Sequence, residues 1–224
     1  MTDTIRSTRR ELSGLDHLLS RVDQQMRRFA GERGGSPQNP VRPSPAQGHD
    51  EPALSGRERE RAAGLMRVNH TGEVCAQALY QGQAMMARSG DTREKLLDAA
   101  QEEADHLAWC ETRLQELDAE PSKLNPLFYA ASFALGAATA MVSDKVSLGF
   151  VHATEERVAK HLRDHLKALP GEDRKSQLIL QQMLTDEERH GAEALEHGGE
   201  EFPRPIKGAM SLASQVMTRT TYWI

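Results

Sequence analysis

Aromatic residues and cysteines are scarce in this chain of 224 residues. Phe, Trp and Tyr together make up 4% of the sequence, whereas Ala, Leu, Glu, Arg and Gln are plentiful. Because the abundant residues are good helix formers, the composition favours helices over sheets. The two cysteines, Cys75 and Cys110, lack the spacing of a metal motif, so we expect reduced thiols inside helices.

The sequence also lacks an excess of positive charge, a secretory signal and a long apolar run. The formal net charge is −5 and the basic residues are scattered, which argues against a nucleic-acid-binding surface. The N-terminus lacks the apolar region of a signal peptide, and no uninterrupted apolar stretch reaches the roughly twenty residues of a membrane span. We therefore expect a protein of the reducing, cytosolic side of the membrane.

Proline and glycine divide the chain into an N-terminal part, residues 1–55, and a helical domain, residues 56–224. Leucines at helical intervals predict an amphipathic helix over 9–31. Residues 34–48 are rich in proline and glycine and predict a linker, disordered to about residue 54. The length suits one domain with a tail, and the sequence does not define what the tail does.

Start and stop signals predict five helical segments after residue 55. Asp91 and Thr92 suit the cap of the second segment. The third segment is long, and we expect a kink or break near Gly136 or Gly149. The first four segments cover about 56–88, 92–118, 126–169 and 172–197, and the fifth runs from after Pro203 and Pro205 to Ile224.

Four glutamates and two histidines recur in a duplicated pattern along these helices. In each half, a lone glutamate on one helix is followed by a Glu-x-x-His pair on the next. The spacing from the lone glutamate to the pair is nearly the same in the two halves, which indicates a duplicated helix hairpin. The six residues are Glu73, Glu103 and His106 in the first half, and Glu155, Glu187 and His190 in the second.

At least three of these glutamates interrupt apolar helix faces. The residues three, four and seven positions from Glu103, Glu155 and Glu187 are mostly apolar. A lone ionised carboxylate there would cost several kcal/mol, so it must be protonated, paired with a cation or bound to metal. The neighbouring Glu102 and Glu156 lie over charged residues instead, and we interpret both as solvated charges.

A Glu-x-x-His pair projects an oxygen and a nitrogen from one helical face, so it can supply two ligands to one ion. Four carboxylates and two imidazoles on four helices make a complete ligand set for a pair of iron ions. Iron suits this mixed set, whereas structural zinc favours cysteine and histidine. Manganese also suits carboxylates and stays open as the metal. The alternative is four solvated glutamates that align only on an imperfect helical projection.

Some other histidines and a tyrosine also lie near the pattern or on the same helices. His70 and Tyr80 lie near Glu73 along the chain, and each is either a neighbour of the metals or an ordinary packed residue. The remaining histidines considered are interpreted as surface or hydrogen-bonded residues, not as ligands. They are His152, His161, His165 and His197.

Residues 124–142 are mostly apolar, but Asn125, Pro126 and the adjacent Asp144 argue against a membrane span. Two interpretations stay open for this part of the third segment. It is either a helix buried on all sides, or an exposed apolar wall that touches a bilayer or admits a lipid-like substrate. The C-terminal stretch with Trp223 could join such a wall as an interfacial anchor.

The segments that carry the six residues resemble the demethoxyubiquinone hydroxylases of ubiquinone biosynthesis. The similarity runs in order through residues 56–224 and leaves residues 1–55 outside. The matching segments are Asn69-His70-Thr71-Gly72-Glu73, Glu102-Glu103-Ala104-Asp105-His106-Leu107, Thr154-Glu155-Glu156 and Asp186-Glu187-Glu188-Arg189-His190.

The resemblance implies an all-α, ferritin-like four-helix bundle with additional N- and C-terminal helices and two iron ions per subunit. In such a site Glu103 and Glu187 would bridge the irons, while Glu73 and Glu155 would be terminal ligands. The full ligand set, through which catalysis would proceed, is Glu73, Glu103, His106, Glu155, Glu187 and His190.

The resemblance further implies the reaction and its partners. Family members use O₂ and reducing equivalents to hydroxylate the ring of a demethoxyubiquinol that carries an isoprenoid tail. We therefore expect a peripheral protein on the cytoplasmic face of the cell membrane, in contact with the membrane surface and with other quinone-biosynthesis proteins. The electron donor, either NADH or a reductase, is left open.

Four other functions compete with the hydroxylase. A ferritin-like ferroxidase would use the same ligands, but the apolar third segment disfavours the hydrophilic iron entry that it needs. A peroxidase of the rubrerythrin type usually brings a Cys-x-x-Cys module, which this sequence lacks, and a di-manganese catalase is a related alternative. A scaffold that binds lipids or partner proteins, with a merely structural metal, is the non-enzymatic alternative.

Overall fold

The computed structural model describes residues 41–224 and Ser20; the helix predicted over 9–31 otherwise lies outside the described residues. The described part of the chain contains helices and no strand, so the predicted all-α fold is confirmed. The helices are α1 (Gly56–Met86), α2 (Gly90–Glu116), α3 (Asn125–Val142), α4 (Asp144–Ala168), α5 (Arg174–Glu196) and α6 (Arg204–Thr221).

Two helix pairs build the bundle. Helix α1 packs along α2, and α4 packs along α5, so each half of the duplicated pattern contributes one pair. The two halves meet where α2 contacts α5 and α1 contacts α4. Helix α3 packs along α1, and α6 contacts α1 and α4. The predicted ligands therefore lie on α1, α2, α4 and α5, the four helices that surround one interior.

The segment predicted over 126–169 is two helices, and the break lies at Ser143 instead of Gly136 or Gly149. Ser143 has an extended backbone, and its side chain accepts a hydrogen bond from an amide in the first turn of α4. The carboxylate of Asp144 accepts two further hydrogen bonds from backbone amides between α1 and α2. A helix cap therefore ends α3, and the two glycines take no part in the break.

Gly136 instead allows the backbones of α1 and α3 to touch. A Cβ atom built on Gly136 would lie 2.2 Å from the carbonyl oxygen of Leu79, and one built on Gly82 would lie 2.2 Å from that of Phe133. Both distances are far shorter than any real contact of a Cβ atom. Either side chain would therefore have to push the two helices apart.

Two other helix ends can be compared with the predicted start and stop signals, and one of them differs by a few residues. Helix α2 is capped by Ser89, not by Asp91 or Thr92, because the Ser89 side chain accepts a hydrogen bond from the amide of Thr92. Helix α5 ends just before Gly198, whose φ of 92° lies in the left-handed region that glycine adopts easily.

Residues 41–54, which we call the N-terminal strap, lie against the bundle. The disorder predicted for this stretch is therefore wrong. At one end the backbone amide of Val41 donates to Asp105 at 2.8 Å. At the other end Glu51 forms an ion pair of 2.6 Å with the buried Arg113. The domain boundary between residues 55 and 56 stays a prediction.

Two apolar clusters fill the bundle on either side of the predicted ligands. Along each of α1, α2, α4 and α5, the ligand positions lie between residues of the first cluster and residues of the second. Rigid apolar packing therefore borders the polar interior at both ends. The first cluster includes Met66, Cys110, Leu162, Leu180 and Met183, and the second includes Tyr80, Leu96, Ala100, Val151 and Ala194.

The backbone contact of α1 with α3 leads to a prediction for Gly136→Ala. We expect this change to lower the free energy of unfolding by about 1–3 kcal/mol, because overpacking must separate the helices. Gly72→Ala on α1 is the matched control, since nothing lies within 4 Å of a Cβ atom at Gly72. Urea unfolding measures both variants. Equal stability of Gly136→Ala and the wild type would contradict the tight contact.

Candidate metal centre

Donor atoms of the predicted ligands meet inside the bundle. One atom from each of Glu73, Glu103, His106 and Glu187 lies within 4.8 Å of the corresponding atoms of the others, and all four residues are buried. Nδ1 of His190 lies 3.4 Å from an oxygen of Glu103 and 3.6 Å from an oxygen of Glu187. Five of the six predicted residues therefore form one cluster.

Glu155 brings the sixth carboxyl or imidazole group to this cluster. It is buried on α4, and this burial together with the negative charge of the nearby Glu187 raises its pKa. The hydroxyl of Tyr80 donates a hydrogen bond of 2.7 Å to Glu155. Burial, together with the negative charge of Glu155, raises the pKa of Tyr80 well above its ordinary value, so Tyr80 keeps its proton for this bond. Tyr80 therefore lies beside the cluster and is not merely a packed residue.

Both histidines turn Nδ1 towards the carboxylates. Nδ1 of His106 lies 3.2 Å from Glu187, 3.3 Å from Glu103 and 3.5 Å from Glu73. Glu103 places Oε2 beside His106 and Oε1 beside His190, while Glu187 places Oε1 beside His106 and Oε2 beside His190. Each of these two glutamates therefore reaches both histidines, one oxygen to each.

The outer nitrogens of the histidines contact acidic residues of the opposite motif. Nε2 of His106 lies 2.9 Å from Asp186, and Nε2 of His190 lies 3.4 Å from Glu102. A carboxylate in this position fixes the ring orientation and makes the inner nitrogen a better ligand. The hydrogen bond with His190 also lowers the pKa of Glu102. The interpretation of Glu102 as a solvated charge is therefore wrong.

A signal for both outer residues is present in the sequence. Glu102 and Asp186 each stand directly before the glutamate of a Glu-x-x-His pair. The acidic residue is thus repeated with the motif, although only the tertiary structure shows that each one contacts the histidine of the other motif. In contrast, Glu156 pairs with Lys207 at 2.8 Å and is largely exposed, in agreement with its interpretation as a solvated charge.

The histidines predicted not to be ligands are engaged elsewhere. His152 and His197 bond backbone carbonyl oxygens, and His165 bonds the side-chain oxygen of an asparagine. The ring of His161 lies 5.4 Å from the ring of His165. His70 is buried and lies within hydrogen-bond distance of Asn125 at 3.2 Å. His152, His165 and His197 are therefore hydrogen-bonded residues, as the sequence predicted.

Burial and mutual contact shift the pKa values of the central groups. Burial raises the pKa of Glu73 and Glu155 well above the ordinary range. Burial also opposes the ionisation of Glu103 and Glu187, but the adjacent histidines lower the pKa of both carboxyls. Burial disfavours the imidazolium forms too, yet the surrounding carboxylates raise the pKa of both histidines, that of His190 to about 12.

Unsatisfied atoms face the middle of this cluster. Among the described residues, six buried atoms on five of the central side chains make no hydrogen bond, and all six are carboxylate oxygens or imidazole nitrogen. Buried polar atoms normally have partners, and carboxylate with imidazole is a ligand set for iron or manganese. The cluster could therefore hold metal. The atoms are Oε2 of Glu73, Oε1 of Glu103, Oε2 of Glu155, Oε1 and Oε2 of Glu187, and Nδ1 of His190.

A cavity of about 660 Å³ leads from the centre to the surface. Glu73, which is 2% exposed, lines it at the buried end, and the exposed Leu135, Leu212 and Val216 line it at the surface. Most of the remaining lining is apolar, with side chains from α1, α3, α4 and α6, and it includes the free thiol of Cys75. The shape and lining suit a long apolar ligand whose polar end reaches Glu73.

These features define a four-helix-bundle protein with a buried carboxylate–histidine centre that could hold metal. The family model described as "Ubiquinone biosynthesis protein COQ7" matches residues 60–221. The chain belongs to this COQ7 family. Its resemblance to the demethoxyubiquinone hydroxylases, stated from the motifs, is thereby confirmed.

Three similar proteins carry the same name. The "3-demethoxyubiquinol 3-hydroxylase" of Azotobacter vinelandii is 55% identical over 215 residues, which cover 96% of this chain and 98% of that protein. The protein of the same name from Pseudomonas fluorescens strain Pf-5 is 54% identical over 97% of this chain and its own full length. That from Pseudomonas aeruginosa strain UCBPP-PA14 is 52% identical, with the same coverage.

The raised pKa values lead to a prediction about metal binding. The raised pKa values of the histidines and of the Glu73 and Glu155 carboxyls favour their protonated forms, and a metal must displace those protons. We therefore expect Fe²⁺ or Co²⁺ binding to release protons and to become tighter as the pH rises. Calorimetry in buffers of different ionisation enthalpy measures the number of protons released. A metal affinity that does not change with pH would contradict this account.

Proposed function

We propose that this chain is a 3-demethoxyubiquinol 3-hydroxylase, which uses O₂ to hydroxylate the ring of a polyprenyl demethoxyubiquinol in ubiquinone biosynthesis. The chain covers nearly the whole length of relatives that carry this name. The observation that carries the proposal is the placement of Glu103 and Glu187, each with one oxygen beside each histidine. Two carboxylates placed in this way can bridge a pair of metal ions.

The contacts support one assignment of ligands to two iron ions per subunit. Glu103 and Glu187 would bridge the ions. Glu73 lies beside His106, and the charge of His190 acts on Glu155, so each terminal glutamate belongs with one histidine. Manganese suits the same oxygen-rich set and is tested as an alternative.

The reaction needs two electrons, two protons and one O₂ for each ring. One oxygen atom enters the ring at a carbon that loses hydrogen, and the other leaves as water. The bound, reduced iron pair would supply the electrons to O₂, and NADH, directly or through a reductase, would restore them. The residues of the chain bind the metals, exclude bulk water by the two apolar clusters, and hold a proton on Tyr80 beside Glu155.

The cavity gives the substrate a route to this centre. The quinol ring would lie at the buried end, near Glu73, while the isoprenoid tail would leave between α3 and α6. Both helices expose large apolar side chains there: Leu135 is 47% exposed and Leu212 is 65% exposed. The tail could therefore remain in lipid while the ring reacts.

We propose a peripheral position on the cytoplasmic face of the cell membrane. Helix α3 is long and apolar enough to cross a membrane, but Gly136 and Gly82 allow it to pack tightly against α1. Since α1 carries Glu73 into the polar centre, a spanning α3 would draw these charges into the bilayer. Of the two alternatives for this segment, the exposed apolar wall agrees with the structure, since only 22% of it is buried.

The test of the function is mass spectrometry of the product formed under ¹⁸O₂. The reduced, iron-loaded protein is mixed with a short-chain demethoxyubiquinol, and we expect a hydroxylated ring that carries one ¹⁸O atom. Consumption of oxygen or peroxide without ring labelling would favour a ferroxidase or a peroxidase instead. A protein that neither holds iron nor consumes oxygen would favour the scaffold. Loading with manganese in place of iron tests the metal.

The bridging assignment leads to a prediction for Glu187→Ala. We expect this variant to lose iron and ring hydroxylation together, with activity reduced by more than about a hundredfold, because both ions lose a ligand. Iron content is measured by metal analysis of the purified protein. Glu188→Ala is the matched control, since the neighbouring Glu188 is half exposed and pairs with Arg163. Full iron occupancy in Glu187→Ala would contradict the assignment.

The membrane proposal leads to a prediction for Leu135→Asp. A charge at the exposed end of the cavity should oppose contact with lipid. We expect weaker binding to anionic lipid vesicles and lower activity on a long-tailed substrate, with unchanged iron content. Leu135→Met, which keeps the side chain apolar, is the control. Vesicle binding of Leu135→Asp at the wild-type level would count against α3 as the contact surface.

A further inference from the structure

The outer nitrogens of His106 and His190 have similar surroundings, but the arginine in each comes from a different part of the protein. Asp186 contacts His106, and Glu102 contacts His190. In the second motif an arginine, Arg189, stands directly before the histidine and pairs with Glu102. Side-chain contacts thus connect an arginine, an acid and a predicted ligand histidine in the order Arg189, Glu102, His190.

The first motif has no arginine at the matching position. Asp105 stands directly before His106, where the second motif has Arg189. The duplicated pattern therefore reverses its charge at this point. Without a cation from elsewhere, Asp105 would have no basic partner in its own motif, and Asp186 would have only a long contact of 3.8 Å with Arg189.

Arg42 of the N-terminal strap supplies this cation. Its Nη1 donates to Asp186 at 2.9 Å, and its Nε donates to Asp105 at 3.2 Å. Nη2 lies 3.3 Å from Nε2 of His106 and 3.8 Å from Glu102. The contacts of Arg42 with Asp186 and of Asp186 with His106 are therefore the counterpart of the contacts that lead to His190. In this case the arginine belongs to the N-terminal strap and not to a bundle helix.

Several contacts hold Arg42 in this orientation. Asp105 accepts hydrogen bonds from the backbone amides of Val41 and Arg42, at 2.8 and 3.3 Å. The indole nitrogen of Trp109 donates to the carbonyl oxygen of Arg42, and the guanidinium lies 5.0 Å from the centre of the Trp109 ring. The same ring packs against that of His106, with 5.3 Å between the ring centres. Asp105 thus binds the strap and leaves the Arg42 side chain aimed at Asp186.

We propose that the N-terminal strap is part of the metal centre and that Arg42 is a positioning residue, which orients His106 through Asp186. This inference rests on the metal pair proposed above. Arg42 lies outside residues 60–221, which the family model matches. The sequence motifs assign no role to the first 55 residues, so this is a function for part of that region.

Orientation of a ligand histidine has a measurable consequence. Loss of an outer partner typically weakens metal binding by 10- to 100-fold, because the ring is no longer held in its binding orientation. Since Arg42 lies 2.9 Å from Asp186 but 3.8 Å from Glu102, its loss should weaken the metal position at His106 much more than the position at His190. A strap that only stabilises the fold would not distinguish the two positions.

The experiment compares full-length wild type, Arg42→Gln and Arg189→Gln, each loaded with ⁵⁷Fe²⁺. Release of iron to a ferrous chelator and the Mössbauer spectrum are recorded for each protein. In Arg42→Gln we expect one iron to leave about tenfold faster than in the wild type, with one of the two iron signals changed. In Arg189→Gln the other signal should change. Neither readout depends on hydroxylation.

Two further variants complete the test. Arg42→Lys keeps the charge but cannot span Asp105 and Asp186 with a planar fork, so it should restore the slow release only in part. Arg59→Gln removes a surface pair with Asp118 and should behave as the wild type. Thermal unfolding of each protein shows whether Arg42→Gln loses stability.

The outcomes separate this inference from the proposed function. A wild-type protein that holds no iron would contradict the proposed function and this inference with it. A wild type with two irons and Arg42→Gln with unchanged release, or with both irons released faster to the same extent, would overturn this inference alone. Lower thermal stability of Arg42→Gln with an unchanged Mössbauer spectrum would likewise overturn it.

Discussion

The structure depends on four carboxylates held inside one helical bundle. Each carboxylate loses its hydration on burial, and together they repel one another, so they stay ionised only if cationic partners lie between them. The pKa values show this conflict. The pKa values of Glu73 and Glu155 are raised, whereas those of Glu103 and Glu187, which lie beside both histidines, are lowered. A pair of metal ions would resolve the conflict, and the bundle places the donor atoms where such ions can bind.

The rest of the fold keeps these groups in place. An apolar cluster at each end of the polar interior restricts the four bundle helices, and the contact of α1 with α3 leaves no room for a Cβ atom at Gly82 or Gly136. Because α3 is bound so tightly on one face, its other face is free to remain apolar and exposed beside the cavity. The same helix therefore closes the bundle and presents a surface suited to lipid.

The polar network around the centre extends beyond the ligands. Each histidine contacts an acid from the other motif, and each acid contacts an arginine. The arginine comes from the motif itself in one half and from the N-terminal strap in the other. Asp105 explains this difference, because it stands where the other motif has Arg189 and its carboxylate accepts hydrogen bonds from the strap. A region that lies outside the family motifs thereby contributes to the central site.

The sequence by itself determined the all-α class, the duplicated helix pairs and the six residues at the centre. It could do so because a buried glutamate on an apolar face is costly, and because a spacing of three residues is a local property of a helix. Only the tertiary structure decided the break at Ser143, the contact of each acid with the opposite histidine, the place of Tyr80 and the strap that carries Arg42. These depend on contacts between residues far apart in the chain, such as Arg42 and Asp186, and no local pattern specifies which distant side chain fills the remaining space.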